Sequence, residues 1–533
     1  MRRFRGGGCG VGENVSTVVE VEMQGRSDPN AELMDAAGLV GHLVAADSVY
    51  AFLAAHRQRL FPDSLFADLF PSRRGRPSVP APVAATVLVL QSLEGLSDRE
   101  AMERLRCDIR WKVAAGLALD HEGFHPTTLT YWRNRLRVSD RPERIFDAVR
   151  QVIAETGVLA RSTRRALDST VLDDAVATQD TVTQLVGQIR RVRREVPAAA
   201  TVEVTAHDYT RAGKPACDWT DPAAREVLVS ALVADAHAIL ATLEGVELDG
   251  KQAEAVGLLA LIAGQDVEEG DEPGSWRIAR KTPPDRVVST VDPHSRHVHK
   301  SRRTYRDGFK AHVSVEPDTG LIVAAALTPG NAPDGPTGVE LLAKETTPLE
   351  VLADSAYGSG DTRVALETAG HTQTIKPIPI RPMTDADGAF TLDDFDIDLN
   401  SRTATCPAEH TVPIAAKGSA HFGSRCHDCP MRPRCTRAKA GKKLKIHPQH
   451  DQLARARRDA ADPDWQDRYR THRPMVERSI AWLVAHGHRR VAFRGIDRNR
   501  LWLAHRVAAV DLKRLLALGL DHDGTRWTLP APA

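Results

Sequence analysis

The alternating run KAHVSVE at residues 310–316 leads through the turn Asp318-Thr319-Gly320 into a second apolar run at 321–327. This hairpin constrains the fold more than any other stretch, because a period of two demands a sheet with one face buried. The pattern then continues as a helix (335–345), a buried strand (349–353), a helix (361–369) and a strand (372–378). Hairpin strands followed by strand–helix–strand units predict an α/β sheet of mixed direction. One further strand-like run, 165–172, follows a helix that ends at Gly157. Between it and the hairpin, about 180–285 reads as a helical insert with Arg and Glu on its faces.

The remaining segments have different patterns. Residues 1–35 are Gly-rich, polar and without periodicity, which predicts a disordered tail. Residues 36–140 read as an all-α domain. In it, an apolar helix over 82–93 ends at Gly95, and Ser97 with Glu100 forms a capping box for the next helix. A short helix over 129–137 carries Tyr131, Trp132, Arg133, Arg135 and Arg137. It suits the recognition element of a helix-turn-helix reader of DNA, and a plain helical bundle has the same look. The α/β domain begins at 141 and runs to 383; 384–445 is a Cys-rich insert of turns; helices resume over 446–520; 521–533 is a tail.

The 533 residues include 71 Lys and Arg against 70 Asp and Glu, so the sum says nothing about a polyanionic partner. The distribution does. Residues 401–520 hold 25 Lys and Arg and 10 Asp and Glu, an excess of 15 positive charges that suits a nucleic acid or a solvated helical surface. No apolar run approaches the roughly 18 residues of a membrane helix, so no membrane partner is expected. The start, MRRFRGGGCG, is basic without an apolar stretch, which predicts no signal peptide, a cytoplasmic setting and reduced thiols.

Three carboxylates draw attention by position. Asp168 lies in ALDST within the first strand-like run, and Asp354 follows the buried strand in VLADSAYGSG. Strand C-terminal edges are where α/β sheets build sites, although an Asp there also serves as a helix cap or turn residue. Glu477 lies in the helical run YRTHRPMVERSIAWL, with Tyr469 and Arg473 at spacings of four. That spacing puts the three on one helix face, unless Pro474 kinks the helix or starts a new one; an Arg–Glu surface pair is the plainer reading. Widely separated carboxylates suit hard cations such as Mg²⁺ or Mn²⁺, two of which can activate a nucleophile and stabilise a leaving oxygen at phosphorus. Spacing does not select these three from 70 acidic residues.

A resemblance does. ALDST, then GFKAHVSVEPDTGLIVAAALTPGNAPD, then VLADSAYGS, then YRTHRPMVE with RRVAFRG resemble, in this order over about 36–518, the DDE transposases of bacterial insertion sequences. The resemblance implies an RNase H-like catalytic core beside the all-α helix-turn-helix-like domain, with Asp168, Asp354 and Glu477 as catalytic residues and ligands of two Mg²⁺ or Mn²⁺ ions. It implies cleavage at the ends of an insertion sequence and strand transfer of the 3′-hydroxyl into target DNA. The partners it implies are double-stranded DNA, as terminal inverted repeats and target, and a second copy in a homodimeric synaptic complex; the setting it implies is bacterial and nucleoid-associated. A non-catalytic domesticated DNA-binding protein, and a nuclease of the same fold that cuts without joining, are the rival readings. Tyr469, Arg473 and Glu477 follow the family's Tyr–Arg–Glu signature with one extra residue between Tyr469 and Arg473. Where the family carries a Lys seven residues after the Glu, Val484 stands here, leaving Arg489 and Arg490 as candidates for its phosphate-holding role.

Four of the seven cysteines, Cys406, Cys426, Cys429 and Cys435, cluster in the insert. They fit a structural Zn²⁺ site that would fix a segment too poor in apolar residues to hold itself, or free thiols. Related transposases carry such an insert between the second Asp and the Glu. His294, His297 and His299 stand among Arg296, Lys300, Arg302 and Arg303, which reads as a basic loop for DNA phosphates rather than a metal site. Asn331 and Asp334 match a family N-x-x-D element at a strand end, and a turn explains them equally.

Overall fold

The computed structural model describes residues 24–25, 34–72, 76–211, 213–301 and 304–530, so most of the expected N-terminal tail, together with Arg302 and Arg303, lies outside the described residues. The chain divides into two compact units: residues 1–88 with 98–144, and residues 89–97 with 145–533.

The first unit is helical. Its core is aromatic, with Trp132 edge-on to Phe66 at 5.8 Å and to Phe70 at 5.0 Å. Arg144, 1% exposed, ties two segments together by donating to the Asp68 carboxylate at 2.8 Å and to the Leu65 carbonyl at 2.7 Å. The helix Thr127–Val138 turns Leu129, Trp132 and Leu136 into this core. Its opposite side presents Thr130, Tyr131, Asn134 and Val138 to solvent.

The second unit is built on one mixed sheet. Its strands are β1 (Arg164–Asp173), β2 (Arg296–Ser301), β3 (Thr304–Val315), β4 (Ile322–Pro329), β5 (Glu350–Ala353) and β6 (Thr372–Ile375). β3 is long enough to pair β2 along its first half and β4 along its second. Both run antiparallel to it, as β1 does on its other edge. β5 then joins β1 in parallel, and β6 joins β5 in parallel. The strand order is therefore β4 or β2, then β3, β1, β5, β6. The hairpin and the strand–helix–strand units expected from periodicity are all present, the helices being Asp334–Leu342 and Gly360–Thr368.

Two expectations about local structure are corrected. Residues 296–301 are not a basic loop but strand β2, because His297 and Val298 lie opposite Asp307 and Arg306 in a ladder. Two of its side chains are used internally: His297 bonds Asp307, and Arg296 pairs with Asp285 at 2.9 Å. Asp285 also accepts from Asn331 at 2.8 Å, a tie between segments rather than a bare turn.

The second correction concerns the Cys-rich insert, which does hold itself by burial. A three-stranded sheet (Asp396–Asp398, Thr403–Thr405, Thr411–Pro413) and a strand pair (Ser419–His421, Lys443–Lys445) enclose Phe390, Phe395, Val412, Ile414, Phe422, Leu444 and Ile446. Too few apolar residues was the wrong measure, since short strands that alternate can pool single residues into one core.

The helical insert between β1 and β2 likewise has its own core. Its helices Thr181–Glu195, Pro222–Thr242 and Gly250–Gln265 bury Leu185, Ile189, Val229, Leu232, Leu259 and Ile262 completely. Asp180, Asp221 and Asp249 cap the three N-termini, the last in a capping box with Gln252. No helix among the described residues is long and apolar enough to cross a membrane.

Candidate active site

Residue alternation along β1 sets the site. Ala166, Asp168, Thr170 and Leu172 share one face of the sheet, and Asp168 stands opposite Val313 of β3. The parallel register pairs Ala166 with Leu352 of β5, so Asp168 and Asp354, each two residues further on, come level on neighbouring strands. Asp354 leaves the strand and caps the turn Ser355–Tyr357, its Oδ1 accepting from the Ala356 N–H at 2.9 Å.

The helix Pro463–Val484 covers this face and passes through Pro474 without a break. Neither a kinked end nor a new start is needed: the proline removes only the bond to the Arg470 carbonyl, at an exposed position where solvent can replace it. Tyr469, Arg473 and Glu477 therefore lie on one stripe. Arg473, 5% exposed, donates from Nη2 to Asp168 Oδ2 at 2.9 Å and places Nη1 4.0 Å from Glu477 Oε1. Its Nε and Nη1 are buried without a hydrogen-bond partner. Glu477 itself is exposed, at 66% of its side chain.

The turn of the central hairpin fixes this helix in place. Ser479 donates to the Gly320 carbonyl at 3.1 Å, and His472 lies 3.3 Å from Asp318. Gly320 has φ +78°, and a Cβ there would come 3.0 Å from the Met475 sulfur, so glycine is required both by conformation and by contact. From the helix Ile496–Ala517, the fully buried Asp511 accepts from the Ile322 N–H at 2.9 Å. Burial pushes its carboxyl well above the usual range.

Electrostatics follow from burial and charge. Burial pushes the Asp168 carboxyl up, Arg473 and the Ser169 N–H pull the other way, and the facing Asp354 adds to the rise. Burial opposes the charge on Arg473, but Asp168 and Asp354 hold the guanidinium above its ordinary value. Burial raises the Tyr469 phenol too, against Arg473, with Asp354 and Glu477 adding to the rise.

Beyond Asp168, residues 489–491 run alongside the end of β1. The Asp173 N–H donates to the Arg489 carbonyl at 2.8 Å, and the Val491 N–H returns to the Asp173 carbonyl at 2.9 Å. Arg489 donates to Thr170 Oγ1 at 2.5 Å, which places it two residues from Asp168 on the same face. Arg490, exposed, donates to the Asp174 carbonyl at 3.0 Å. Arg306, which no motif or spacing singles out, reaches Asp173 at 3.3 Å and lies close enough to Arg489 to lower its pKa, after burial.

The structure thus brings Asp168, Asp354, Tyr469, Arg473 and Glu477 to one sheet edge, with Arg489 beside them. As placed, no group of three or more His, Cys, Asp or Glu among the described residues could hold a metal ion. The carboxylates present a facing pair, with Arg473 on one of them and Glu477 at the rim. Cys406, Cys426, Cys429 and Cys435 line one small cavity in the insert, and their mutual proximity, after burial and Lys442, acts on the Cys435 thiol. As placed they are not such a group either, and an apolar core lies beside them.

Arg133, Arg135 and Arg137 are elsewhere, in the first unit, and on the half-buried side of their helix. Arg133 pairs with Asp98 at 2.5 Å, and Arg135 donates to the Leu69 carbonyl while lying over the Phe70 and Tyr131 rings. Arg137 Nε is buried without a partner.

Comparison with known proteins places transposase segments at both ends of the chain. Residues 43–135 match a family model described as Transposase domain (DUF772), and residues 405–516 one described as Transposase DDE domain. The second match contains Glu477, Tyr469 and Arg473; Asp168 and Asp354 lie upstream of it. No curated protein and no solved structure matches the chain. The matched segments are those of a DNA transposase. Together they indicate a DDE transposase of the bacterial insertion-sequence type.

Proposed function

We propose that this chain cleaves DNA strands at the ends of an insertion sequence and joins the freed 3′-hydroxyl to target DNA, using Asp168, Asp354 and Glu477 on an RNase H-like core. The observation that carries the reading is the level, facing pair Asp168 and Asp354 on parallel neighbours, with Arg473 and Glu477 on the helix across them. The strand order, an antiparallel trio extended by two parallel strands, supports the core assignment.

The facing carboxylates of Asp168 and Asp354 are oxygen donors of the kind that Mg²⁺ or Mn²⁺ takes, and because one or two carboxylates per ion suffice, this pair would hold the ions, with Glu477 at the rim. The chemistry such ions would supply there is activation of the attacking hydroxyl and stabilisation of the leaving oxygen. The chain's own part is separate. Arg473 neutralises Asp168 and offers two unused N–H groups to a phosphate oxygen, for which a planar guanidinium fork is well shaped. Arg489 and Arg490 hold the flanking phosphates, fixing the strand in register. The first unit recognises the element's terminal repeats through the exposed side of the helix Thr127–Val138, and two copies pair the ends as a homodimer.

The test is a nicking and joining assay on DNA carrying the inverted repeats that flank the gene. Asp168→Asn, Asp354→Asn and Glu477→Gln are each expected to lower nicking more than about 1,000-fold with DNA affinity held within about threefold. Substantial nicking by any of the three removes that residue from the site. Nicked product without joined product in the unaltered protein selects the cutting-only nuclease, and neither product selects the DNA-binding relic.

A further inference from the structure

The face of the sheet opposite Asp168 carries a second polar group that this chemistry does not use. Alternation places Leu167, Ser169 and Val171 of β1 there, across from Ser314, His312 and Lys310 of β3. Lys310 Nζ lies 3.2 Å from Asp334 Oδ1 and donates to the Ala332 carbonyl at 2.8 Å. His312, fully buried, shares a hydrogen bond with Thr328 Oγ1 at 2.9 Å and presents Nδ1 3.5 Å from the same Asp334 oxygen.

Asp334 begins the helix Asp334–Leu342, and that helix grips Tyr357. A Cβ on Gly338 would lie 2.7 Å from the Tyr357 ring and 3.1 Å from Leu167 Cδ1. The ring is therefore wedged between the helix and the residue that precedes Asp168. Tyr357 is also the last residue of the turn that Asp354 caps. One side chain thus touches the support of one aspartate while belonging to the turn of the other. Its hydroxyl is buried without a hydrogen bond of good geometry, and Ser169 is within its reach. Burial, then the carboxylates of Asp334, Asp168 and Asp354, push the phenol well above its ordinary pKa. Toward a carboxylate a phenol O–H is a donor, and toward the Ser169 hydroxyl it can also accept.

We propose that Tyr357, seated on Gly338 and backed by the Lys310–Asp334 pair, is the positioning residue that sets the separation of Asp168 from Asp354. Two like charges level on adjacent strands repel, and the turn after Asp354 is the part free to give way. The wedged ring closes that route, and the hydroxyl offsets the repulsion without adding charge. The inference rests on the reading of the two aspartates as the catalytic pair.

Mn²⁺ binding to the full chain, followed by the paramagnetic resonance of the free ion, tests it apart from turnover. Tyr357→Phe keeps the ring and removes the hydroxyl. It is expected to weaken Mn²⁺ binding about tenfold, as supporting groups around metal ligands do, with the thermal unfolding midpoint unchanged. Gly338→Ala pushes the ring from the other side and removes no polar group; a similar loss is expected. Asp168→Asn serves as the reference and is expected to abolish tight binding. Should Asp168→Asn bind Mn²⁺ as the unaltered chain does, the catalytic reading itself fails, and this inference with it. Should only Asp168→Asn lose binding, while both Tyr357→Phe and Gly338→Ala bind normally, the positioning role alone is overturned.

Discussion

In the helix Thr127–Val138, Arg133 sits on Asp98, while Arg135 bonds the Leu69 carbonyl through Nη1 and lies over two aromatic rings with its Nε unbonded. In the helix Pro463–Val484, Arg473 sits on Asp168 but keeps Nε and Nη1 unbonded inside the protein. Both helices show the same surface in sequence, an aromatic followed by arginines at helical spacing. Their physics differ. An arginine whose donors end on its own unit's acceptors acts as a strut, since breaking those bonds to reach DNA would strand the acceptors. A buried unpaired N–H is costly wherever it lies, and Arg135 and Arg137 each keep one at Nε; Arg473 differs in leaving both Nε and Nη1 unbonded, beside the facing carboxylates where an anion can complete it. The first helix meets solvent with Thr130, Tyr131 and Asn134 instead.

The strongest way to break this contrast is a charge-preserving change on each side. Arg473→Lys retains the positive charge near Asp168 but loses the planar fork. Nicking is expected to fall on the order of 100-fold, the usual effect of losing one preorganised donor at a reacting oxyanion. Arg133→Lys, which keeps a partner for Asp98, is expected to leave nicking within about threefold. Single-turnover rates on a pre-nicked and an intact substrate report both. If Arg133→Lys proves the more damaging, the division into struts and receptors is wrong.

A smaller effect sharpens the same contrast within the first unit. Asn134 is exposed, and its amide can read an adenine edge, a pairing that carries about 1–3 kcal/mol of discrimination. Asn134→Ala is expected to lower affinity for the element's ends about tenfold and relax the preference at one base pair. Arg133→Ala should instead lower the unfolding midpoint, with a change of less than about threefold in affinity. Binding isotherms on end DNA and on scrambled DNA separate these outcomes.

How much of this was legible in the sequence depends on whether the signal was local. The hairpin, the strands bearing Asp168 and Asp354 and the capped helices were readable because period, turn and cap are written within a few residues. Strand β2 was missed, since RHVHKS is polar and alternates only weakly, and its pairing with β3 is what makes it a strand. The Tyr–Arg–Glu stripe was readable as spacing; whether Pro474 breaks it depended on exposure of Arg470, which a sequence does not display. Partners were least legible. That Arg133 belongs to Asp98 and Arg473 to Asp168 are contacts over 35 and about 300 residues respectively. Nothing in VLADSAYGSG assigns Tyr357 a role, because its meaning lies in Gly338 and Leu167.

The Cys-rich insert offers the smallest expected effect and a test of the same logic applied to sulfur. Four thiols beside one cavity invite a metal, as arginines on a helix invite DNA, yet what holds a segment is decided by what is buried. Phe422, 1% exposed, packs edge-on against Phe395 at 5.8 Å, within a core that spans both small sheets. Removing such a ring leaves a cavity, and Phe422→Ala is expected to cost about 3–5 kcal/mol and open the insert to proteolysis. Chelation of the reduced protein at neutral pH is expected to shift the unfolding midpoint by less than about 2 °C, well under the effect of 1 kcal/mol on a domain of modest size. A structural Zn²⁺ would behave otherwise, because its binding energy is on the order of 10 kcal/mol and its loss unfolds what it organises. Limited proteolysis with and without chelator, beside elemental analysis of the same sample, decides between the two. One zinc per chain, with the segment 384–445 cleaved only after chelation, would show that the thiols and not the phenylalanines carry the insert.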